Sequence, residues 1–541
     1  MSQPATLGDF GGDPPPRSLP QRWILAAAGP LVELYEANHG RIGGLHRPAC
    51  SNIAAMFLRR DWGLFTSEAL RHRVRGLIAT GDRRAMAQGT GDADGLAAWD
   101  LARAAAVAGW GYVAYLLEAD EAWSLMVEAA RGLQSRFASW EQVAASYVAG
   151  WRIWNDEDDA ASPPHVDQLL EPGGAWTLPW EVDLTVAIEP ATEPLTVCRV
   201  GTGGDFSSIS EAVAAAADRQ TYARIEVAAG DYDESVAVRY PVELVGMGEV
   251  TVRANEGAPL LVRQVSAMVK GLKLISGTSA AGEAMQAVWA DARYLRLVDC
   301  TMRSARCGVY TQGDDAFVSL SGCHIASAVN SGVLSEGQAH VAIDASVISG
   351  TEGNAVLATG GGELVIAATR IVAPGGSGIA ATDAVHAELR DVQVEEAGEN
   401  GIEIHGEGSA SLRSVTVERA GSTGLLVNAS VKLETSRVTH SGGNDLGLLS
   451  GQAIAARSTF GGGPGCAVCV CGGTRAELIE CTLEATAMPT LYVMTEGAAE
   501  LARCTVRGGH AAAIHAMGDA SVRASRTLIE GDIEGAVDLV D

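Results

Sequence analysis

From about residue 220 onward, short runs in which apolar and polar positions alternate are separated by Gly, Asn and Asp turns, as in Leu-Arg-Ser-Val-Thr-Val (412 to 417) and Gly-Ile-Glu-Ile-His (401 to 405). Period two with β-branched residues predicts strands, and no segment beyond residue 220 keeps a helical period for long. The runs recur. Cys300, Cys323, Ser346, Thr369, Val392, Val415, Ser436, Ser458, Cys481, Cys504 and Arg526 follow one another at intervals of 23, 23, 23, 23, 23, 21, 22, 23, 23 and 22 residues. A second ladder, Val309, Val333, Val356, Ile379, Ile402, Leu425, Leu446, Val468, Leu491 and Ile514, contracts at the same place, so both belong to one set of stacked turns. Two or three short strands per turn predict an all-β right-handed parallel β-helix, a single-stranded solenoid of about twelve coils. A solenoid with a strand and a helix per repeat needs a leucine-rich consensus, which this sequence lacks.

Ahead of the repeat, Gly-Thr-Gly-Gly-Asp-Phe-Ser-Ser-Ile-Ser-Glu-Ala-Val (201 to 213) predicts a helix from Ser208 that closes the open end of the stack. Ser208 and Glu211 have capping-box spacing. On this phrase, and on Ala229-Gly230-Asp231-Tyr232 standing where a Pro-Gly-x-Tyr turn is usual, the region 197 to 541 resembles the pectin-lyase-like superfamily of right-handed β-helices. Its enzymes gather carboxylates on adjacent coils. Gln286 sits in a phrase distantly similar to that of the pectin methylesterase oxyanion-hole glutamine. The two aspartates of those esterases have no counterpart around Tyr310 and Asn330, so the resemblance implies the fold and not the reaction. Asp314-Asp315 and Glu395-Glu396, the adjacent carboxylate pairs of the repeats, read as solvated turn acids.

The front of the chain has another character. Ten of the 11 Trp precede residue 181, and only Trp289 lies in the solenoid. Residues 21 to 154 read as a small all-α, Trp-rich domain, with a helix start after the turn Asp61-Trp62-Gly63 and a cap at Ser139 with Gln142. The landmarks Trp99, Asp100, Arg103, Gly109, Trp110, Tyr112, Trp123, Gln134, Trp140, Tyr147, Gly150 and Trp154 resemble the bacterial family catalogued as domain of unknown function 1266. That family implies no chemistry. Asp100 and Arg103, at i and i+3, are expected to pair. Trp99, Asp100, Arg103 and Tyr112 form a candidate ligand or peptide groove, against the plainer reading of a structural ion pair in an aromatic core. Residues 1 to 20, with Pro14-Pro15-Pro16, read as a disordered tail, and the acidic, Pro-rich stretch 155 to 196 as a linker.

A formal charge of -27 argues against nucleic-acid and anionic-membrane partners. The amino terminus lacks the pattern of a signal peptide, and no run approaches the length of a membrane span. A cytoplasmic location is therefore expected, with the ten Cys as free thiols.

The outward positions of the second ladder carry the remaining signal. With Val468 and Val470 inward, Cys469 and Cys471 point out, as do Leu426 with Asn428, then Leu449, Tyr492 with Met494, and His515 with Met517. This predicts a soft apolar stripe on the last five coils, while Thr359, Thr382, Glu403 and His405 make the earlier coils polar. Such a stripe on a strongly acidic protein points to a protein partner. The spacing of Cys469, Cys471, Met494, His515 and Met517 across two rungs is stretched for a shared soft metal, so no metal or cofactor is expected. The expected function is non-catalytic: an intracellular bacterial scaffold or adaptor, of a kind that suits secretion or toxin neutralisation. The rival is a carbohydrate-active β-helix enzyme with a diverged site.

Overall fold

The computed structural model describes residues 13–87, 94–156 and 163–540. The chain divides into two compact units, Met1–Thr196 and Val197–Asp541.

The first unit is built around the helix Ala97–Val113, in which every residue except Tyr112 is buried. Packed against it are helices Ser51–Trp62, Ser67–Ala79, Ala119–Arg136 and Trp140–Asn155. Local sequence sets their ends. Gly63 closes Ser51–Trp62 in the left-handed conformation at φ +62°, the Thr66 hydroxyl accepts the Ala69 N–H, and the Ser139 hydroxyl accepts the Gln142 N–H. Close approach explains Gly150, because a Cβ there would lie 2.5 Å from Trp99 Cβ.

Two expected boundaries shift. Residues 1–12 of the expected tail lie outside the described residues. Ser18, however, caps the helix Leu19–Ala26 with a capping box to Gln21, and Arg17 donates to the Gly40 and Thr192 carbonyls. Much of the expected linker is a strap on the helical unit. Its helix Pro164–Leu170 is followed by a chain whose carbonyls at Leu178, Val182, Leu184 and Ile188 accept from Trp140, Gln134, Arg131 and Trp123. Trp176 is buried and donates to the Ala26 carbonyl. Acidic and Pro-rich composition suggested a free linker, but these large apolar side chains anchor it.

The second unit is a right-handed parallel β-helix of about 15 turns, about 23 residues each. It is longer than the repeat suggested because coils from Ala223 to Val298 carry long strands and insertions that break the period. The predicted cap is present as the helix Ile209–Asp218, where the Ser208 hydroxyl accepts the Glu211 N–H and the Glu211 carboxylate accepts the Ser208 N–H. Each full turn contributes to three parallel sheets. The first contains Val288–Asp291, Cys307–Gln312, Ser331–Glu336 and, further on, Leu491–Val493. The second contains Phe317–Ser321 and His340–Asp344, the third His324–Ala328 and Val347–Ser349. Inward Val, Leu and Ile fill a continuous core.

The first ladder is the corner between the second and third sheets. Cys323 N–H donates to Ser346 Oγ at 3.1 Å, and Ser436 N–H to Ser458 Oγ at 3.1 Å, so the small polar side chains tie successive rungs. The cysteines of the ladder, Cys300, Cys323, Cys481 and Cys504, are buried small fillers. The residue before each member is left-handed: Asp299, Gly322, Ala345, Ala368, Asp391, Ser414, Thr435, Arg457, Glu480, Arg503 and Arg526 have φ between +45° and +63°. Arg526 is therefore a corner residue and not a ladder member. Thr527 takes the ladder place, accepting the Cys504 N–H at 3.2 Å.

Candidate functional site

Strand alternation places one outward column along the first sheet. In register it reads Leu261, Trp289, Tyr310, Leu334, Leu357, Ala380, Glu403, Leu426, Gly447, Cys469, Tyr492 and His515. The expected stripe on the last five coils is thus part of a longer one. Of the residues that make the earlier coils read as polar, Glu403 does stand in this column, whereas Thr359, Thr382 and His405 belong to the neighbouring one, alongside Asp291, Gln312 and Glu336. That neighbouring column turns apolar only at its far end, where Met494 and Met517 are each 37% exposed.

The last coils hold the predicted residues with one correction. Leu426 faces Gly447, not Leu449, because the register slips between Leu448 and Ser450. A bulge ejects Leu449, which is 48% exposed. Tyr492 and His515 rings lie 5.3 Å apart, the Tyr492 hydroxyl meets the Met517 sulfur, and His515 pairs with Glu534. Cys469 and Cys471 are half-buried. Burial, with the neighbouring Cys471 and Cys466, pushes the Cys469 thiol up to about 12. Among the described residues no three His, Cys, Asp or Glu converge as a metal site.

The outward faces of the other two sheets are chemically different. On the third sheet Arg370 pairs with Glu395 at 2.9 Å, Arg419 with Glu396 at 3.2 Å, and Arg507 with both Glu484 and Glu530. On the second, Arg413 pairs with Glu434 and Arg475 with Glu500. The carboxylate pair Glu395-Glu396 is thus held by arginines of adjacent rungs, whereas Asp314 and Asp315 are exposed in a turn.

At the upstream end of the first sheet the column is aromatic. The Arg263 guanidinium lies 5.1 Å from the Trp289 ring, and Trp289 and Tyr310 are tilted 53° at 6.1 Å. The Tyr310 hydroxyl donates to Glu336 at 2.6 Å, and Gln264 donates to Asp291 at 2.8 Å. Burial first, then the Glu336 hydrogen bond, pushes the Tyr310 phenol up to about 12.

In the helical unit, Trp99 and Arg103 line a pocket of about 380 Å³ together with Tyr35, Trp62, Tyr147, Trp154 and His165. The Arg103 guanidinium sits 4.6 Å from the Trp99 ring, 4.8 Å from Trp62 and 5.9 Å from Trp154. The expected Asp100–Arg103 pair is long, at 3.7 Å; Arg103 instead donates to Asp82 at 2.8 Å. Asp100 is fully buried and holds the turn before Arg83, accepting the Asp82 and Arg83 N–H groups and the Arg83 guanidinium. Tyr112 is no part of this pocket. Nine residues beyond Arg103, at 100° per residue, it lies on the opposite side of the helix, where Arg47 covers its ring at 4.5 Å. Tyr147 and Trp154, landmarks of the family resemblance, and Trp151 were not part of the expected groove, although their spacing of four and three puts them on one helical face, and they line the pocket.

Residues 90–180 match the family model described as a protein of unknown function (DUF1266), and residues 307–456 match the right-handed beta helix region. No curated protein matches the sequence. Similar solved structures include carbohydrate-active enzymes and the Dettilon tailspike protein. The A-module of the Azotobacter vinelandii mannuronan C-5 epimerase AlgE6 is 13% identical, with a TM-score of 0.43 over 59% of this chain and 93% of that one. Pectin methylesterase PemA from Erwinia chrysanthemi is 13% identical, with a TM-score of 0.31 over 38% and 80%. The catalytic unit of an alpha-1,3-glucanase from Streptomyces thermodiastaticus is 13% identical, with a TM-score of 0.38 over 61% and 65%. At such values the likeness extends no further than the coiled architecture, and the three activities belong to those proteins.

Proposed function

We propose that this protein is a non-catalytic binding protein whose β-helix docks a protein segment along the outward face of the first sheet. The observation that carries this reading is the segregation of charge. Arg–Glu pairs stand on the outward sides of the second and third sheets, among them Arg475–Glu500 and Arg370–Glu395, while the column from Leu261 to His515 is mainly aromatic and aliphatic, with Leu334 and Ala380 buried within it. At about 4.8 Å per rung, that column runs for about 50 Å, a length suited to an extended or helical partner segment. Exposed pairs of Arg and Glu contribute little to stability individually, so the aromatic and aliphatic run of this column, interrupted by Glu403 and flanked by Asp291 and Glu336, is better explained by contact there than by folding. The soft residues of the last coils, Leu449, Tyr492, Met494 and Met517, suit an adaptable protein contact.

The test is affinity purification from the native host with the wild type and with a Leu449→Glu, Tyr492→Glu, Met494→Glu variant whose circular dichroism is unchanged. A partner kept by the wild type and lost by the variant supports the face as its dock. Identical partners for both, or none for either, overturn the reading.

A second reading belongs to the upstream end, where Trp289 and Tyr310 adjoin Asp291, Gln312 and Glu336. Aromatic rings beside hydrogen-bonding side chains suit a glycan, and the charge of -27 favours a neutral one over a polyuronate. Calorimetry with neutral oligosaccharides tests it, since Trp289→Ala is expected to abolish that binding and the triple variant to spare it. Oligosaccharide binding that survives Trp289→Ala, or no binding by the wild type, would sink it.

A further inference from the structure

The pocket of the helical unit contains donors that the fold does not use. Arg103 is 6% exposed and Trp99 is 5% exposed, yet Arg103 Nη1 and Trp99 Nε1 have no hydrogen-bond partner among the described residues. His165 Nε2, on the same pocket, has none either. A buried donor left unpaired costs about 1–3 kcal/mol, more for a charged group, so two on adjacent turns of one helix call for an acceptor from outside. The cation–π contacts with Trp62 and Trp99 hold the guanidinium flat but do not satisfy its N–H groups.

The surrounding charges say which kind of acceptor fits. Arg73 holds Asp82 through both nitrogens, at 2.9 and 2.7 Å, and Arg103 shares that carboxylate. Arg83 neutralises Asp100, and Arg60 neutralises Asp61, which also accepts the Tyr35 hydroxyl. Of the groups that line the pocket, Arg73 and Arg103 stand against Asp61 and share Asp82, and Glu33 and Asp167 lie near His165, so the positive charge here is local to the Arg103 guanidinium. A cation would compete with Arg103 for the indole faces. A phosphate would be poorly matched to a mainly aromatic wall with a single guanidinium nitrogen to offer. A planar ring carrying one carboxylate matches both: the ring lies among Tyr35, Tyr147 and Trp154, and the carboxylate meets Arg103 Nη1 and Trp99 Nε1.

We propose that this pocket binds a small aromatic monocarboxylate, with Arg103 and Trp99 as the anion-recognising donors. The proposal does not depend on the β-helix face being a dock.

The experiment is titration of the full chain with 1-naphthoate and indole-3-acetate, followed by tryptophan fluorescence and calorimetry. The neutral 1-naphthamide is run alongside. The carboxylates are expected to saturate the wild type in the micromolar to millimolar range and to bind on the order of tenfold more tightly than the amide. Trp99→Phe, which keeps a ring and removes the N–H, is expected to weaken carboxylate binding several-fold and amide binding less, because a charged acceptor loses more than a neutral carbonyl. Arg103→Gln is expected to abolish the preference for the carboxylate. Should that variant fail to fold, the carboxylate–amide comparison on the wild type still decides. Equal binding of acid and amide, or no saturable binding of either carboxylate, overturns the proposal.

Discussion

Asp445 makes the β-helix sensitive to pH in a direction opposite to most carboxylates. Its side chain is 1% exposed, next to the first strand of a coil. Oδ1 accepts from the Ser441 N–H at 3.1 Å and from the Ser441 hydroxyl at 2.8 Å, while Oδ2 has no partner among the described residues. Burial outweighs those two bonds and the nearby His440, and lifts the carboxyl from its ordinary 3.8 to about 6. The folded state therefore holds the proton more tightly than the unfolded chain. The group costs nothing below about pH 4, a penalty grows as pH rises from about 4 to 6, and above that it levels off. A gap of about two pH units corresponds to about 3 kcal/mol. Asp445→Asn cannot ionise, and it keeps the Oδ1 acceptor while burying an amide without a partner, at about 1–3 kcal/mol. The variant should be less stable than the wild type near pH 4 and level with it or more stable near pH 7. Urea denaturation followed by far-ultraviolet circular dichroism, at several values between about pH 4 and 7, measures this difference; the other carboxylates cancel because both proteins carry them. A difference that stays constant with pH, or moves the other way, refutes the account of Asp445 as a buried and mostly unsatisfied acid.

Two further outcomes follow from the core. At the corner, Gly322 has φ +63° and an added Cβ would sit 2.5 Å from Asp299 Oδ1, so Gly322→Ala should cost about 1 kcal/mol. Ala345→Gly, at φ +47°, should gain a few tenths to about 1 kcal/mol once the entropy of glycine is deducted. Thermal melts of the two variants check both signs, and a destabilised Ala345→Gly would contradict the corner assignment. Iodoacetamide on the native protein near neutral pH should label Cys469 and Cys471 alone, and Cys469 slowly because burial holds its thiol near 12. Mass spectrometry locates the label. Modification of Cys300, Cys323, Cys481 or Cys504 before denaturation would show that the core is open.

The coil was legible because each turn of a solenoid contacts its neighbours at a fixed interval, so the structure writes its own period into the sequence. What the period hides is backbone conformation. The left-handed corner is occupied by Asp, Gly, Ala, Ser, Thr, Arg or Glu, a set with no common chemistry, and this is why Arg526 could be mistaken for the ladder position that Thr527 holds. The bulge at Leu449 was hidden for the same reason. Alternation assumes one residue per step, and nothing in Leu-Gly-Leu-Leu-Ser announces that two face one. The strap over the helical unit was misread because acids and prolines outnumber its anchors, although Trp176 and Leu184 are too large and apolar to belong to a free linker.

The pocket shows where linear spacing stops being informative. Trp99 and Arg103 are four residues apart, and their neighbourhood could be read from one helix. The other walls come from Tyr35, Trp62 and His165, which no period connects to them. Nor does sequence show that Asp82, from the turn before Arg83–Met86, takes Arg103 away from Asp100. That exchange has a chemical consequence. Asp100 is hydrogen-bonded to the Arg83 turn, Asp82 is shared between two arginines, and Arg103 is left flat between indoles with its Nη1 nitrogen without a hydrogen-bond partner among the described residues. The ion pair that the i, i+3 spacing suggests persists only at 3.7 Å, and the bond to Asp82 leaves Arg103 Nη1 without a hydrogen-bond partner among the described residues, which is what the carboxylate proposal uses.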